Sequence, residues 1–184
     1  MILYVNGDSN TAAGEAVNDY CFAQDDSKYH DYGRVPHPDN LAVSWGQNLA
    51  NKLDYSFYCD AESASSNQRI IRTTLDYLNN HKTPSLIVIG WSTWEREEWE
   101  HDGIWWQVNA GGIGDDWPDT IKQRYKNWVV NLDYQTRMNH QHRELHNFHT
   151  LLEHRGIPHY FFTCYEPFTK LEQLDWNGCY LEPY

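Results

Sequence analysis

The chain has few basic residues and no long apolar run. Its 14 Lys and Arg residues stand against 26 Asp and Glu residues, so the formal net charge is −12 at pH 7. Nucleic-acid binders usually carry a basic patch and anionic membranes attract one, so this balance argues against both kinds of partner. No apolar stretch approaches the roughly 18 residues of a membrane span, and no leader precedes the first strand-like residues. We therefore expect a cytoplasmic protein without a membrane anchor.

Cysteine is also sparse. The four cysteines are widely spaced and contain no Cys-x-x-Cys pair: Cys21, Cys59, Cys164 and Cys179. Two of them fall in predicted strands, which favours reduced thiols over a disulfide framework or a zinc site. Four histidines lie on one predicted helix, and they flank its apolar stripe, as helix-surface histidines do: His140, His142, His146 and His149. We expect no metal and no cofactor.

The strongest local pattern is at the start of the chain. Ile2 to Val5 is an unbroken apolar run, which is typical of a strand buried on both faces. Turn and capping residues follow at once, and the residues from Thr11 are suited to open a helix. Ser9 would then lie where a parallel strand ends and a helix begins, which is where open α/β sheets bind ligands. The free N–H groups of that helix would be able to hold an oxyanion.

Strand and helix patterns alternate along the rest of the chain. Strands are predicted at residues 2–6, 55–59, 85–89 and 159–164, and helices at 39–53, 66–80, from 118 and at 136–155. This alternation predicts a single α/β domain over residues 1–184, with a mainly parallel sheet and helices on both faces, a three-layer α/β/α fold. The strands at 2–6 and 85–89 are predicted to be adjacent, parallel and central. Residues 20–38 are expected to form a long surface loop and residues 109–114 a flexible hinge.

The motif Gly7-Asp8-Ser9-Asn10-Thr11, directly after an N-terminal strand, resembles the first motif of the SGNH or GDSL hydrolase superfamily. The resemblance implies a flavodoxin-like sheet and ester hydrolysis with Ser9 as the nucleophile, next to Asp8. An esterase or acyl hydrolase of this kind acts on a small-molecule ester, here an acylated saccharide. Two other interpretations of Ser9 are a plain helix cap and a phosphate-binding turn.

The later motifs of that superfamily are altered or missing. Asn67 and Ser92 stand at the places of the second and third motifs, where the resemblance implies oxyanion-side polar groups. The fourth motif, Asp-x-x-His, is reduced to Asp175 with Gly178 in the histidine position, so no base for Ser9 is identified. About twenty residues follow the last strand, which predicts a shortened member or a chain that lacks a C-terminal part.

Tryptophan is concentrated in one stretch: six of the nine tryptophans lie between Trp91 and Trp117. Trp91 and Trp94 are predicted to stack on a sugar while Glu95 and Arg96 bind its hydroxyls or a carboxylate. The alternative is that the rings close the open end of the sheet and the charges are solvated. A further interpretation makes Glu95 and Glu98 a carboxylate pair for glycoside cleavage.

The sequence is compatible with two functions. The first is an SGNH-like ester hydrolase with a divergent site. The second is a non-catalytic binding or structural protein of the same fold. The segments 7–10 and 90–96 together are similar to uncharacterised proteins of tailed phages of marine bacteria, which implies a protein partner or a place in a virion for the second function.

Overall fold

A parallel sheet of four strands forms the centre of the molecule. The computed structural model describes residues 1–20, 36–163, 165 and 174–181. Its strands are β1 (Ile2–Asn6), β2 (Ser56–Cys59), β3 (Leu86–Trp91), β4 (Glu97–His101), β5 (Ile104–Val108) and β6 (His159–Thr163). Its helices are α1 (Pro38–Ala42), α2 (Trp45–Leu53), α3 (Asn67–Asn80), α4 (Asp119–Val130) and α5 (Tyr134–His154). The central sheet has the order β2-β1-β3-β6, and β4 pairs with β5 in a separate hairpin.

The two apolar strands are central, as predicted. β1 pairs in parallel with β3 in a register that runs from Leu3 opposite Leu86 to Asn6 opposite Ile89. β2 and β6 cover the outer edges of this pair. An α/β fold with a mainly parallel sheet is therefore confirmed.

Successive residues of β1 belong to two different hydrophobic clusters, because successive strand residues point to opposite sides of the sheet. On one face, Leu3, Val5 and Val88 pack with Ala50 of α2. The opposite face carries the larger cluster, which α3 and α5 cover and which includes Tyr4, Ile70, Ile87, Ile89, Leu145, Leu152 and Phe161.

Serine caps set the starts of two helices. Ser66 Oγ accepts a hydrogen bond of 3.1 Å from the Arg69 amide, and the predicted helix begins at the next residue. The helix predicted at residues 39–53 is instead two helices. Ser44 Oγ accepts from the Gln47 amide at 3.1 Å and so caps a second start within that range.

The helix expected after Ser9 does not form, and this prediction is wrong. Residues 9–19 make successive turns, and Ala13 and Glu15 have φ values of 53° and 63°. A left-handed residue ends an α-helix. The Asp8 carbonyl accepts from the amides of Thr11 and Ala12 at 3.0 and 2.9 Å, and the Ser9 carbonyl accepts from the Gly14 amide at 2.8 Å, but these turns do not continue as a helix. Ser9 therefore has no helix N-terminus of its own to hold an oxyanion.

The tryptophan-rich stretch forms a hairpin that the sequence analysis missed. β4 and β5 pack against α4 through a second core of Trp99, Val108, Trp117 and Ile121. Residues 109–114, predicted to be a hinge, contain a bridge between Asn109 and Gly112. Most of these rings therefore stabilise an insertion between β3 and α5.

Several predictions fall outside the described residues. Most of the loop predicted at 20–38 is among them, as are Cys21 and Cys164. Cys59 and Cys179 are free thiols. Within the described part of the chain, no helix has the length and apolar character needed to cross a membrane.

Gly7 is needed for the close approach of the first turn to β3. A Cβ at this position would lie 2.6 Å from Thr11 Cβ and 2.8 Å from the Gly90 carbonyl oxygen. We expect Gly7→Ala to lower the free energy of unfolding by about 1–3 kcal/mol, the cost of overpacking a tight site. Gly111→Ala is the matched control, because only the movable Asn109 amide oxygen lies close to its Cβ, at 2.9 Å. Equal urea-unfolding curves for the two variants would contradict this account.

Candidate functional site

A buried carboxylate connects three loops at the carboxyl edge of the sheet. Asp8 follows β1 and its side chain is completely buried. Its Oδ2 atom accepts hydrogen bonds from Tyr165 Oη at 2.8 Å, Arg96 Nη1 at 3.0 Å and Ser92 Oγ at 3.3 Å. Ser92 and Arg96 follow β3, and Tyr165 follows β6. The Asp8 carboxylate is thus the common acceptor of this edge.

The Arg96 guanidinium compensates the buried charge. Its side chain is 19% exposed, and Nη1 also donates to Ser92 Oγ at 2.8 Å while Nη2 donates to Tyr165 Oη at 3.3 Å. Asp8 Oδ1 accepts from the Asn10 amide at 3.0 Å. A buried carboxylate is costly unless it is paired and its oxygens are hydrogen-bonded, and this one meets both conditions.

Asn67 and Ser92 contact each other directly. Asn67 Nδ2 donates to the Ser92 carbonyl at 3.1 Å, and the Ser92 amide donates to Asn67 Oδ1 at 2.8 Å. Both side chains are at most 1% exposed. These two residues therefore reach the predicted edge, but their polar groups hold the loop after β3 against the start of α3 instead of facing a ligand.

Unlike the polar groups of Asn67 and Ser92, the Ser9 hydroxyl takes no part in the hydrogen bonds of the described residues. Ser9 is half-buried beside Asp8, and no hydrogen bond to its hydroxyl is formed within the described residues. No described histidine donates to it or accepts from it. A serine hydroxyl needs an adjacent base to become a nucleophile, so the geometry of these residues does not activate Ser9.

The predicted stacking role of Trp91 is wrong. Trp91 is completely buried, and its ring packs edge-on against Phe148 and Phe161 with centroids 6.1 and 5.0 Å apart. Neither face of the ring is free for a ligand. Trp94 is half-buried and packs edge-on against Tyr134 at 5.0 Å.

The charged residues after Trp94 have separate roles. Glu95 makes a backbone contact only, in which its amide donates to Thr93 Oγ1 at 3.3 Å. Glu98 accepts two hydrogen bonds from Arg72, from Nε at 2.7 Å and Nη2 at 2.6 Å. Because the Glu98 carboxylate is already neutralised by this bidentate pair, it is not a partner of Glu95 for glycoside cleavage.

Arg137 of α5 binds the backbone of the loop that follows β3. Its Nε donates to the Trp94 carbonyl at 2.9 Å, Nη2 donates to the Arg96 carbonyl at 3.1 Å, and Nη1 pairs with Glu97. The loop that presents Arg96 is therefore fixed on both sides. The sequence carried no signal for Arg137, because its partners are mainly backbone carbonyls about forty residues away.

Tyr165 and Asn6 are further site residues that the sequence analysis missed. Burial, together with the Asp8 carboxylate, raises the pKa of Tyr165, so the phenol stays protonated and donates to Asp8. Asn6 Nδ2 lies 3.1 Å from the Ile70 carbonyl and 3.0 Å from Thr74 Oγ1, and Asn6 Oδ1 accepts from the Gly7 amide at 2.8 Å. Asn6 thus fixes the last residue of β1, and with it the first turn, to α3.

A recess lies beside the carboxyl end of β2, apart from the Asp8 network. It has a volume of about 290 Å³, and Asp60, Tyr58, Tyr77 and His81 are among its lining residues. Desolvation raises the pKa of Asp60 above its ordinary value, although Tyr4 Oη donates to the carboxylate at 2.9 Å. The ionised form of Asp60 is therefore disfavoured in the folded protein, which lowers the free energy of unfolding at neutral pH.

The two serines provide a matched test of the site. We expect Ser92→Ala to lower the free energy of unfolding by about 1–3 kcal/mol, because it leaves Asp8 and Arg96 each without one buried partner. Ser9→Ala should change it by less than about 0.5 kcal/mol, since the hydroxyl forms no hydrogen bond with any described residue. Denaturant unfolding of both variants measures the difference, and an equal loss would show that Ser9 is tied into the network.

Asp60→Asn should stabilise the protein at pH 7 and have little effect near pH 4. The folded pKa of Asp60 is raised, so the cost of its ionised form is present above the folded pKa and disappears as the pH falls towards the unfolded value. Asparagine keeps an acceptor for Tyr4 without the charge. Thermal unfolding at the two pH values checks this, and a Tm gain independent of pH would contradict it.

Comparison with known proteins adds a family but no activity. Residues 25–181 match a family model described as a family of unknown function, DUF6071. No curated protein and no solved structure matches the chain. None of these comparisons links the chain to the SGNH superfamily, so that resemblance stays a prediction. Because the match covers most of its length, the chain belongs to the DUF6071 family.

Proposed function

We propose that this protein is a divergent SGNH-like protein that binds a small oxygen-rich ligand, such as an acylated saccharide, without cleaving it. The ligand would lie at the carboxyl edge of the sheet, against Ser9, Asn10 and the accessible sides of Arg96 and Tyr165. The corresponding fold is a three-layer α/β/α domain with a flavodoxin-like sheet.

The sheet and the first turn support the SGNH-like part of the proposal. The four parallel strands have the order β2-β1-β3-β6, and Gly7-Asp8-Ser9 follows β1 directly. Helix α2 packs on one face and helices α3 and α5 pack on the other. Such a sheet binds ligands at the carboxyl ends of its strands.

The state of the Ser9 hydroxyl is the observation that carries the binding role. Asp8 is already occupied by Arg96, Ser92 and Tyr165, so it does not orient a base for its neighbour. The hydroxyl of Ser9 has no hydrogen bond within the described residues and is partly exposed. It is therefore available to donate to a ligand carbonyl or to accept from a ligand hydroxyl.

The charge balance of the edge favours an uncharged ligand. Asp8 neutralises Arg96 at 3.0 Å, so an anion would have to compete with a buried carboxylate for the same guanidinium. The exposed Asn10 side chain offers both a donor and an acceptor. Hydroxyl and acyl oxygens match groups of this kind without adding a buried charge.

Serine ester hydrolysis is the second candidate. The position of Gly7-Asp8-Ser9 directly after β1 favours it. It also requires a base close to Ser9, and no described histidine occupies that place. The two candidates therefore differ in one measurable property, the nucleophilicity of Ser9.

Fluorophosphonate labelling measures that property. We expect the protein, incubated with the probe, to show no faster adduct formation by mass spectrometry than Ser9→Ala. Rapid labelling of the parent chain but not of Ser9→Ala would overturn the proposal and establish a serine hydrolase.

Ligand binding is measured in parallel, by calorimetric titration with acetylated and unacetylated oligosaccharides. We expect binding that Ser9→Ala weakens about 3- to 10-fold, since one hydrogen bond contributes about 0.5–1.5 kcal/mol. Ser56→Ala, at the exposed amino end of β2, is the matched control and should bind like the parent. An affinity that is the same for both variants, or no binding at all, would contradict the proposed site.

A further inference from the structure

Two histidines and a cysteine meet at the opposite end of β6 from the candidate site. His149 comes from α5, His159 begins β6, and Cys179 lies on the segment 174–181 that runs beside this strand. One potential ligand atom of each residue lies within 4.8 Å of the other two. The two histidines are 1% and 4% exposed, and the cysteine is half-buried.

The outer nitrogens of both imidazoles face oxygen acceptors. His159 Nδ1 lies 2.8 Å from the Ile157 carbonyl oxygen, so this nitrogen carries the proton and Nε2 is the unprotonated nitrogen with the lone pair. His149 Nε2 lies 3.3 Å from Glu153 Oε2 but forms no hydrogen bond to it, because the proton of His149 is on Nδ1. Metal-binding histidines typically donate their outer N–H to a carbonyl or carboxylate in this way, which fixes the ring and its tautomer.

The inner nitrogens of the two rings face each other. His149 Nδ1 and His159 Nε2 are 2.8 Å apart and share one proton. In a tetrahedral site with metal–nitrogen bonds of about 2.0–2.1 Å, two such nitrogens are roughly 3.3 Å apart. A metal ion would therefore replace the shared proton after a small separation of the rings.

Backbone hydrogen bonds hold Cys179 in place. The Phe161 amide donates to the Cys179 carbonyl at 2.7 Å, and the Cys179 amide donates to the Trp176 carbonyl at 2.8 Å. Within the described residues, the thiol makes one weak contact, with the Asn177 carbonyl at 4.0 Å. Its sulfur is thus positioned but not otherwise engaged.

We propose that His149 Nδ1, His159 Nε2 and Cys179 Sγ bind a divalent transition-metal ion, with Zn²⁺ favoured by this mixed nitrogen and sulfur donor set. On binding, the His149 proton moves from Nδ1 to Nε2, where it donates to Glu153, and the Cys179 thiol releases one proton to solvent. Water fills the fourth position from the half-exposed cysteine side. The ion would tie the segment 174–181 to α5 and β6.

Cobalt titration tests the site, because thiolate coordination to Co²⁺ produces a charge-transfer absorption band. The full chain, freed of metal with a chelator, is titrated with Co²⁺ and then with Zn²⁺. We expect one Co²⁺ per chain, a thiolate band that Zn²⁺ removes, and a rise in Tm with Zn²⁺ concentration. Cys179→Ser should lose both the band and the Tm rise.

Cys59→Ser is the matched control, since Cys59 is the free thiol at the end of β2, at the other edge of the sheet. It should retain the band and the Tm rise. Circular dichroism shows whether each variant is folded, and His159→Gln provides a second ligand variant if Cys179→Ser is not. Absence of the band from the parent, or its persistence in the folded Cys179→Ser variant, would overturn the proposal and leave a buried histidine pair joined only by a hydrogen bond.

Discussion

The burial of the Asp8 carboxylate is the constraint on which the carboxyl edge of the sheet depends. A fully buried negative charge is tolerated only when a cation and hydrogen-bond donors surround it. Here the donors come from the loops after β1, β3 and β6, so one charge fixes three segments that are distant in sequence. Arg137 and Asn6 then hold the bases of two of these loops through backbone contacts. These contacts consequently hold the loops after β1, β3 and β6 together in the folded protein.

The same network explains why a motif that resembles serine hydrolases is not accompanied by the polar groups that their catalysis requires. The Gly7 turn brings Ser9 to the expected edge, but the polar groups expected to serve it are engaged elsewhere. Asn67 and Ser92 bond to each other, and Ser92 also bonds to Asp8. A preorganised oxyanion donor contributes about 2.7–4 kcal/mol to a transition state. Donors already committed to the folded structure would have to break their own hydrogen bonds to provide it, so binding is the function that suits this arrangement.

Local patterns predicted most of the elements and the pairing of the two apolar strands, whereas the distant side-chain pairings could not be predicted. The apolar run of β1 and the Ser66 cap of α3 are properties of a few adjacent residues, and both gave correct elements. The hairpin was missed because the rings and charges that begin at Trp91 favoured a ligand-binding stretch over strands. The partner of Arg96 lies 88 residues away. His149, His159 and Cys179 come from three segments without metal-ligand spacing, and only the packing of α5 and residues 174–181 on β6 brings them together.

A double-mutant cycle between Asp8 and Arg96 tests the central claim most directly, namely that their buried pair organises the edge. Arg96→Met keeps the apolar stem but leaves Asp8 unpaired, so it should lower the free energy of unfolding by about 3–5 kcal/mol. Adding Asp8→Asn removes the unpaired charge, so the double variant should be more stable than Arg96→Met alone, with a coupling free energy of at least about 1 kcal/mol. Additive effects of the two substitutions, within about 0.5 kcal/mol, would contradict the account.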